Sequence, residues 1–369
     1  MRELPTYEPD FEEYIRQGEP DKKAKAELWQ TAIGLQQVDG LHVSNYLLET
    51  ARRNIEGEIS IQEAQKLVDS YYHAESIRNH PISEEEQEAD KVSSRITEII
   101  AEKTFTFSPT QLIAIHRRLF TGVYKFAGQI RDYNITKKEW VLDGETVLYA
   151  SADMIRETLE YDFAEERKHD YQTEQMTDVI HHLALFCRNI WQIHPFGEGN
   201  TRTTAVFMIK YMRALGLNVS NDPFKANAWY FRNALVRANY TNVRKGIQED
   251  CSFLERFFQN IIFGESHPLL NRELHIRWSA KSAIQSAKDD VQSANLDEFL
   301  PPKCKNCTID ELATLRVIHA NPKSTQKEIA AEIRRSERTV KSITIRLTEQ
   351  GIIQRINGKR NGYWEIINK

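Results

Sequence analysis

The chain has 369 residues, of which 40% are hydrophobic and 28% charged, and its formal net charge is -4. This length suits two or three domains, and the composition is typical of a soluble globular protein. No apolar run approaches the roughly 18 residues of a membrane span. The N-terminus lacks the basic and apolar regions of a signal peptide. We therefore expect a cytoplasmic protein without a membrane segment.

The four cysteines favour the same compartment, since only Cys304 and Cys307 are close in sequence. This distribution argues against a disulfide scaffold and for a reducing environment. The CKNC pair has the spacing of half a zinc site, but no matching Cys or His pair follows at zinc-finger spacing. We expect no metal there.

The first 82 residues are predicted to be helical. AELWQTAIGLQQ is amphipathic, and VSNYLLETARRNI repeats apolar residues at helical spacing. Ser60 and Glu63 form a capping-box pattern. A second helical block begins near Ser83 and continues through Ser108-Pro109, an N-cap followed by proline at the first helical position.

The segment GQIRDYNITKKEWVLDGETVLYAS, which begins at Gly128, is rich in β-formers. Its Asp143-Gly144 pair is flanked by WVL and TVLY, which predicts a two-residue β-hairpin. A lone hairpin is only marginally stable by itself, so we expect it to lie against a substrate. Helical patterns return from Thr173 to about Phe263.

A polar connection over 266–305 precedes a tail with its own sequence pattern. This tail, 306–369, contains 12 Lys/Arg and 7 Asp/Glu. Two helices, a short turn, a third helix and a β-ribbon around NGKRNG indicate a winged helix-turn-helix. Such modules bind DNA or other proteins, and the local net charge of +5 favours an anionic partner.

The recognition helix of this module is predicted to run from Glu337 to Gln350, with a basic wing tip. Phosphate contacts from such residues give salt-sensitive affinity, whereas a few side chains reach base edges. The predicted DNA-binding residues are Arg334, Arg335, Arg338, Lys341, Ser342, Lys359 and Arg360.

The stretch HPFGEGNTR, which begins at His194, combines several groups that phosphate chemistry requires. An apolar helix ends at His194, and a new helix begins near Asn200, so Gly199 and Asn200 form an anion cradle at a helix start. Glu198 is a candidate Mg²⁺ ligand and Arg202 a candidate phosphate cation. His194 is a candidate base. The stretch therefore contains the groups that phosphoryl or nucleotidyl transfer requires.

This stretch, together with the upstream AGQIRDYNI, resembles the motif HxFx[DE]GNGRxxR of the Fic (Fic/Doc) family over roughly 83–263. The resemblance implies a helical bundle that transfers AMP from Mg²⁺-bound ATP to a protein Ser, Thr or Tyr hydroxyl. It implies that His194 is the general base, Phe196 the loop anchor and Glu198 the Mg²⁺ ligand. Gly199 and Asn200 would form the anion hole, and Arg202 would stabilise the diphosphate. The segment from Trp140 to Leu148 would be the flap that registers the target by strand addition.

Two positions depart from the family motif. Thr201 replaces its second glycine, and its side chain would crowd the phosphates or donate a new hydrogen bond. Ala205 replaces its final arginine, which in the family contacts the γ-phosphate. AMP is the expected cargo, and another phosphate-containing group remains open.

The N-terminal segment resembles the inhibitory motif [ST]xxxE[GN] of many Fic proteins. In RRNIEGE, Glu56 and Gly57 are retained, whereas Arg52 takes the hydroxyl position. LQQVDG is a weaker candidate, with Asp39 in the glutamate position. Because Ala205 removes the usual partner, the usual ion pair cannot form, although Glu56 could reach Arg202. Alternatively, Glu56 is a solvated charge on a packing helix.

Taken together, the sequence predicts a mainly α protein: a Fic-type helical bundle with a small β-hairpin flap, and a C-terminal winged helix. The expected domains are an N-terminal helical segment (1–82), a catalytic core (83–265), a linker (266–305) and the winged helix (306–369). The expected partners are ATP, Mg²⁺, DNA and a target protein, which is either another protein or the chain itself. The sequence leaves open whether the chain forms a homodimer. The alternative is a transcription regulator whose Fic-like body binds a nucleotide without catalysis.

Overall fold

The computed structural model describes residues 11–77, 83–219, 222–278, 304, 306–357 and 362–367. The first part of the chain is helical, as predicted. Its helices are α1 (Glu12–Gln17), α2 (Pro20–Gly34), α3 (Asn45–Glu56), α4 (Ile61–Ile77), α5 (Glu84–Ala101), α6 (Pro109–Phe120), α7 (Ile155–Glu166), α8 (Met176–Ile193), α9 (Asn200–Ala214), α10 (Asp222–Ala238), α11 (Ser252–Phe263) and α12 (Asn271–Leu274).

The predicted helix starts are confirmed by their caps. The Ser60 hydroxyl accepts a hydrogen bond from the Glu63 amide, and the Glu63 carboxylate accepts one from the Ser60 amide. Ser108 caps α6 in the same way through the amide of Gln111, with Pro109 at the first position. Each cap satisfies amides that a helix cannot pair internally.

Helix α9 lies in the centre of the body. All its side chains from Asn200 to Met212 are buried, and the largest hydrophobic cluster joins it to α5, α6, α8, α10 and α11. A helix that is buried on every side is fixed in position by its neighbours. The loop before α9 is therefore presented by a rigid element.

The N-terminal segment is attached to this body through buried polar contacts as well as apolar ones. Trp29, Leu47 and Ile55 belong to a small separate core. The Asp90 carboxylate of α5 accepts hydrogen bonds from the Ser44 amide (2.9 Å) and from the Tyr72 hydroxyl (2.7 Å). A 3₁₀ turn, Leu35–Asp39, continues α2 towards the main core.

The predicted two-residue hairpin at Asp143-Gly144 is wrong. The chain does reverse there, but a 3₁₀ turn, Trp140–Leu142, precedes the reversal, and the flanking segments form no β-ladder. Val141 and Leu142 are both fully buried in the main core. Tertiary packing of these two residues prevents the strict alternation that a half-buried hairpin requires. The segment is nonetheless positioned beside the motif loop.

The C-terminal region forms the predicted winged helix-turn-helix. Its elements are α13 (Ile309–Ala320), α14 (Gln326–Glu332), α15 (Glu337–Glu349), β1 (Ile353–Ile356) and β2 (Tyr363–Ile366). The strands are antiparallel, with Ile353 opposite Ile366. The wing-tip residues Lys359 and Arg360 lie outside the described residues. Across the described ranges, no helix is both long and apolar enough to cross a membrane.

Cys304 and Cys307 form a disulfide, contrary to the expectation of reduced cysteines. The Cys307 amide donates to the Cys304 carbonyl, so a turn brings the two side chains together. Cys307 is fully buried in the winged-helix core, while Cys304 contacts that core and the main core of the body. The disulfide is thus a local clip at the junction of the two regions.

Candidate functional site

His194 ends α8 in the left-handed conformation, with φ 50° and ψ 59°, and its side chain is 3% exposed. Its Nδ1 lies 3.2 Å from the carbonyl oxygen of Trp191. Because a carbonyl only accepts, this contact places the imidazole proton on Nδ1 and leaves the lone pair on Nε2. Nε2 is buried and has no hydrogen-bond partner within the described structure. The ring is therefore oriented to accept a proton at Nε2.

The surroundings of His194 keep it neutral. Burial lowers its pKa well below 6.5, and the charge of Lys137 acts in the same direction, as do those of Arg131 and Arg232. The Tyr149 ring covers the imidazole, with the ring centroids 4.3 Å apart. A neutral imidazole at pH 7 is the form that a general base requires.

Two residues with no role assigned from the sequence hold the motif loop. Arg131 is buried and donates to the carbonyls of His194 (2.8 Å) and Tyr133 (2.6 Å), and its amide donates to Pro195 (2.9 Å). His116 accepts from the Gly128 amide at Nδ1, so its Nε2 donates to the Glu198 carbonyl (3.0 Å). Arg131 lies within the motif AGQIRDYNI, whereas no sequence motif indicated a role for His116.

The turn into α9 is closed by the side chain of Asn200. Its amide group accepts from the Phe196 nitrogen (3.0 Å) and donates to the Phe196 carbonyl (2.8 Å). Phe196 is 1% exposed and stacks on His116 with centroids 3.7 Å apart, which fits the predicted anchor role. Gly199 caps the helix at φ 77°. The first-turn amides of α9 thus face the loop without intrahelical partners.

Glu198 presents the one exposed carboxylate of the motif, with a side chain 54% exposed. Its Oε2 lies 2.9 Å from Nζ of Lys137, which comes shortly before the flap segment Trp140 to Leu148. The described residues contain no group of three or more His, Cys, Asp or Glu that could hold a metal ion. Mg²⁺ in nucleotide sites usually needs only one or two carboxylates besides the phosphates. The donor set therefore fits a metal that arrives with a nucleotide.

Arg202 is placed deeper than the phosphate role implied. Its side chain is 1% exposed, its Nη2 donates to Glu88 (2.6 Å), and its Nη1 donates to Gln36 (2.9 Å). Its Nε lies 2.8 Å from Oδ2 of Asp39, a close ion pair without the alignment of a hydrogen bond. Burial disfavours its charge, but Asp39, Tyr124 and Glu88 more than offset this and raise its pKa. In this conformation the guanidinium is fully engaged by the protein.

The two departures from the family motif are both buried. Thr201 accepts a hydrogen bond from Trp191 Nε1 (3.0 Å), so its side chain is bonded to α8. Ala205 is fully buried in the main core.

The N-terminal residues near Arg202 come from the weaker of the two predicted motifs. Asp39 of LQQVDG contacts Arg202, whereas Glu56 bonds to Tyr14 (2.6 Å) and Lys22 (2.7 Å). Gly57 caps the end of α3 at φ 84°. Of the alternatives left open for Glu56, contact with Arg202 is therefore not observed: in RRNIEGE the glutamate and glycine end a helix.

A second buried charge network lies behind the base. Glu139 is fully buried and accepts two hydrogen bonds from Arg232 (2.7 and 3.2 Å). Tyr149, which covers His194, donates to Glu139 at 3.4 Å. The network fixes the Tyr149 ring against the imidazole, and nothing in the sequence pattern pointed to it.

The winged helix exposes most of its predicted DNA-binding residues. Arg334, Arg338, Lys341 and Ser342 are exposed on or just before α15, whereas Val340, Ile343 and Leu347 are buried. Arg335 is also exposed, but its Nε donates to Asp310 at 2.8 Å. A basic face therefore lies opposite the apolar face of this helix.

Comparisons with known proteins identify both regions. Residues 106–212 match the family model described as "Fic/DOC family", and residues 311–354 match "Winged helix-turn-helix DNA-binding". "Probable protein adenylyltransferase y4lH" of Sinorhizobium fredii is 31% identical over 126 residues, 34% of this chain and 62% of that protein. "Protein adenylyltransferase VbhT" of Bartonella schoenbuchensis is 23% identical over 243 residues, 61% of this chain and 48% of that protein. The chain thus spans less than two thirds of either relative.

Solved structures are also similar. A Fic family protein from Desulfovibrio desulfuricans G20 has a TM-score of 0.44 at 12% identity, covering 96% of this chain and 91% of its own. The N-terminal FIC domain of Bep8 from Bartonella sp. 1-1C has a TM-score of 0.39 at 19% identity, covering 50% and 88% respectively. On the two family models, residues 106–212 of this chain are a Fic/DOC domain and residues 311–354 are a winged helix-turn-helix.

Proposed function

We propose that this chain transfers AMP from ATP to a Ser, Thr or Tyr hydroxyl of a protein. The target is either another protein or the chain itself. The observation that carries the proposal is His194, a buried imidazole with its proton fixed on Nδ1 and an unpartnered Nε2. The names of the two curated relatives, both adenylyltransferases, support it.

The chain's own groups suit each part of this reaction. Nε2 of His194 takes the proton of the attacking hydroxyl, whose oxygen bonds to the α-phosphorus while the bond to the β-phosphate oxygen breaks. The first-turn amides of α9 stabilise charge on the phosphates. Glu198 would hold Mg²⁺, which would neutralise the departing diphosphate. Asn200 and Arg131 hold these groups in position because both side chains bond to the loop backbone.

Arg202 needs a change of partners before it can contact the diphosphate, because Asp39 and Glu88 hold it. We infer that the nucleotide-free state is restrained by the turn that carries Asp39. In this proposal the acidic contact to Arg202 comes from Asp39 of LQQVDG, the weaker of the two sequence candidates, and not from Glu56 of RRNIEGE.

The winged helix is proposed to bind DNA through Arg334, Arg335, Arg338, Lys341 and Ser342, with Lys359 and Arg360 in the undescribed wing. Its family match and the exposed basic face of α15 support this role. The transfer reaction would then act on, or be controlled by, a DNA-bound protein in the cytoplasm.

The transfer is tested by incubating the full chain with Mg²⁺ and α-labelled ATP, followed by intact-mass measurement. We expect protein-bound label and an added AMP mass in the wild type, and neither in His194→Ala. A nucleotide that binds without transfer in the wild type would instead favour a regulator that only senses the nucleotide. A different added mass would identify another cargo.

A further inference from the structure

Lys137 lies in the candidate site although it is outside the motif. Its Nζ is 2.9 Å from Oε2 of Glu198, and its amide donates to the Thr146 hydroxyl at 3.3 Å. After burial, its charge is the largest influence that lowers the pKa of His194. One cation therefore faces both the proposed base and the proposed metal ligand.

Within the described part of the chain, three arginines near the loop are already bound to protein groups. Arg131 donates to main-chain carbonyls, including that of His194, and Arg232 is paired with the buried Glu139. Arg202 is held by carboxylates, and position 205 carries a buried alanine in place of an arginine. Lys137 differs from these arginines because its partner, Glu198, is itself expected to change ligands when a nucleotide binds.

The pair between Lys137 and Glu198 is suited to exchange. The side chains are 28% and 54% exposed, so the ion pair is solvent-accessible. Exposed ion pairs contribute little to stability, so a triphosphate with its metal can readily replace this one. The flexible lysine stem also lets the ammonium move while the backbone stays bonded.

We propose that Lys137 is a phosphate ligand of the bound nucleotide, exchanging Glu198 for the β- and γ-phosphates when the nucleotide arrives. Without nucleotide, its ammonium neutralises Glu198. With nucleotide, the carboxylate is free for the metal, and the ammonium supplies the positive charge that Ala205 cannot supply. This inference rests on the proposed nucleotidyl transfer, which it extends to a specific residue for recognition of the phosphate tail.

The proposal is tested by the affinity of the full chain for ATP and AMP, measured by calorimetry in EDTA and in Mg²⁺. Lys137→Met should weaken ATP binding about tenfold, the equivalent of one charge-assisted hydrogen bond. AMP, which lacks the β- and γ-phosphates, should bind the variant and the wild type equally. Lys138→Met, an exposed lysine on the same segment, is the matched control and should leave both affinities unchanged.

A double-mutant cycle adds a readout that does not depend on turnover. In EDTA, Glu198→Gln should tighten ATP binding, because it releases Lys137 and removes a negative charge. This gain should shrink in the Lys137→Met background, since the released ammonium is then missing.

Unchanged ATP affinity in Lys137→Met would overturn the inference, and so would an equal loss for ATP and AMP, which would indicate a general structural role. Either result leaves the proposed function standing if the wild type still transfers AMP. If the wild type binds no ATP, both proposals fail.

Discussion

At the residue scale, Gly199 is required for two separate reasons. Its φ of 77° is unfavourable for any side chain, and an added Cβ would lie 2.4 Å from the Phe120 ring. Gly144 shares the first constraint, with φ 84°, but has nothing within 4 Å of an added Cβ. Substitutions at these two glycines therefore separate the effect of backbone strain from that of steric contact.

We expect Gly144→Ala to lower the free energy of unfolding by about 1–2 kcal/mol, the cost of the left-handed conformation. Gly199→Ala should cost a further ~1–3 kcal/mol because the buried Phe120 ring must move, and it should abolish AMP transfer. Denaturant unfolding of the two variants measures the difference. Equal destabilisation would show that the Phe120 contact imposes no constraint.

His194 makes a prediction about pH. Its pKa is lowered by burial first and by Lys137 second, so the neutral base persists below pH 6.5 and is lost only as pH falls through the lowered value. The acid limb of the kcat/KM profile for AMP transfer should therefore lie below pH 6.5. Lys137→Met removes a nearby positive charge and should move this limb to higher pH. A limb at pH 6.5 or above in the wild type would contradict the buried, neutral imidazole.

At the element scale, the turn that follows α2 supplies one of the carboxylates that contact Arg202. Asp39 contacts Arg202 from this turn, whereas Glu56 at the end of α3 bonds to Tyr14 and Lys22. Asp39→Asn should weaken the restraint and raise the rate of AMP transfer several-fold, and Glu56→Gln should leave the rate unchanged. The matched pair is compared in the label-transfer assay.

Activation by Glu56→Gln but not by Asp39→Asn would reverse this assignment. Thermal unfolding serves as the control for folding, because Asp39→Asn removes one partner of a buried charge and should lower stability. Glu88 still pairs with Arg202 in that variant, so the charge is not left alone.

The same scale shows what the sequence could predict. The apolar helix that ends before His194 and the helix that begins at Asn200 were both predicted from the sequence pattern. The hairpin prediction was wrong because it used only the local sequence, whereas Val141 and Leu142 are held by burial in the main core. The contacts of Arg202 could not be predicted for a similar reason, because Asp39 and Glu88 lie far from it in sequence.

At the scale of the whole molecule, helix α13 joins the two recognised regions. Ile309 and Leu312 belong to the main core of the body, whereas Leu315 and Ile318 belong to the winged-helix core. The Met176 amide also donates to the Cys307 carbonyl at 3.0 Å. The boundary predicted at 306 followed from composition, which cannot show that one helix serves two cores. The winged helix is therefore packed on the body and is not a freely tethered module.

The proposed DNA-binding role predicts that the exposed basic face of α15 contacts phosphates. If Arg338 and Lys341 contact phosphates, each charge removed should reduce the slope of log affinity against log salt by about 0.9. Arg338→Ala and Lys341→Ala should therefore weaken binding to any duplex and flatten its salt dependence, as measured by fluorescence anisotropy from low to high salt. Lys168→Ala, an exposed lysine of the body, changes net charge equally and should have no effect. Salt-independent binding, or equal losses for all three variants, would exclude phosphate contacts by this helix.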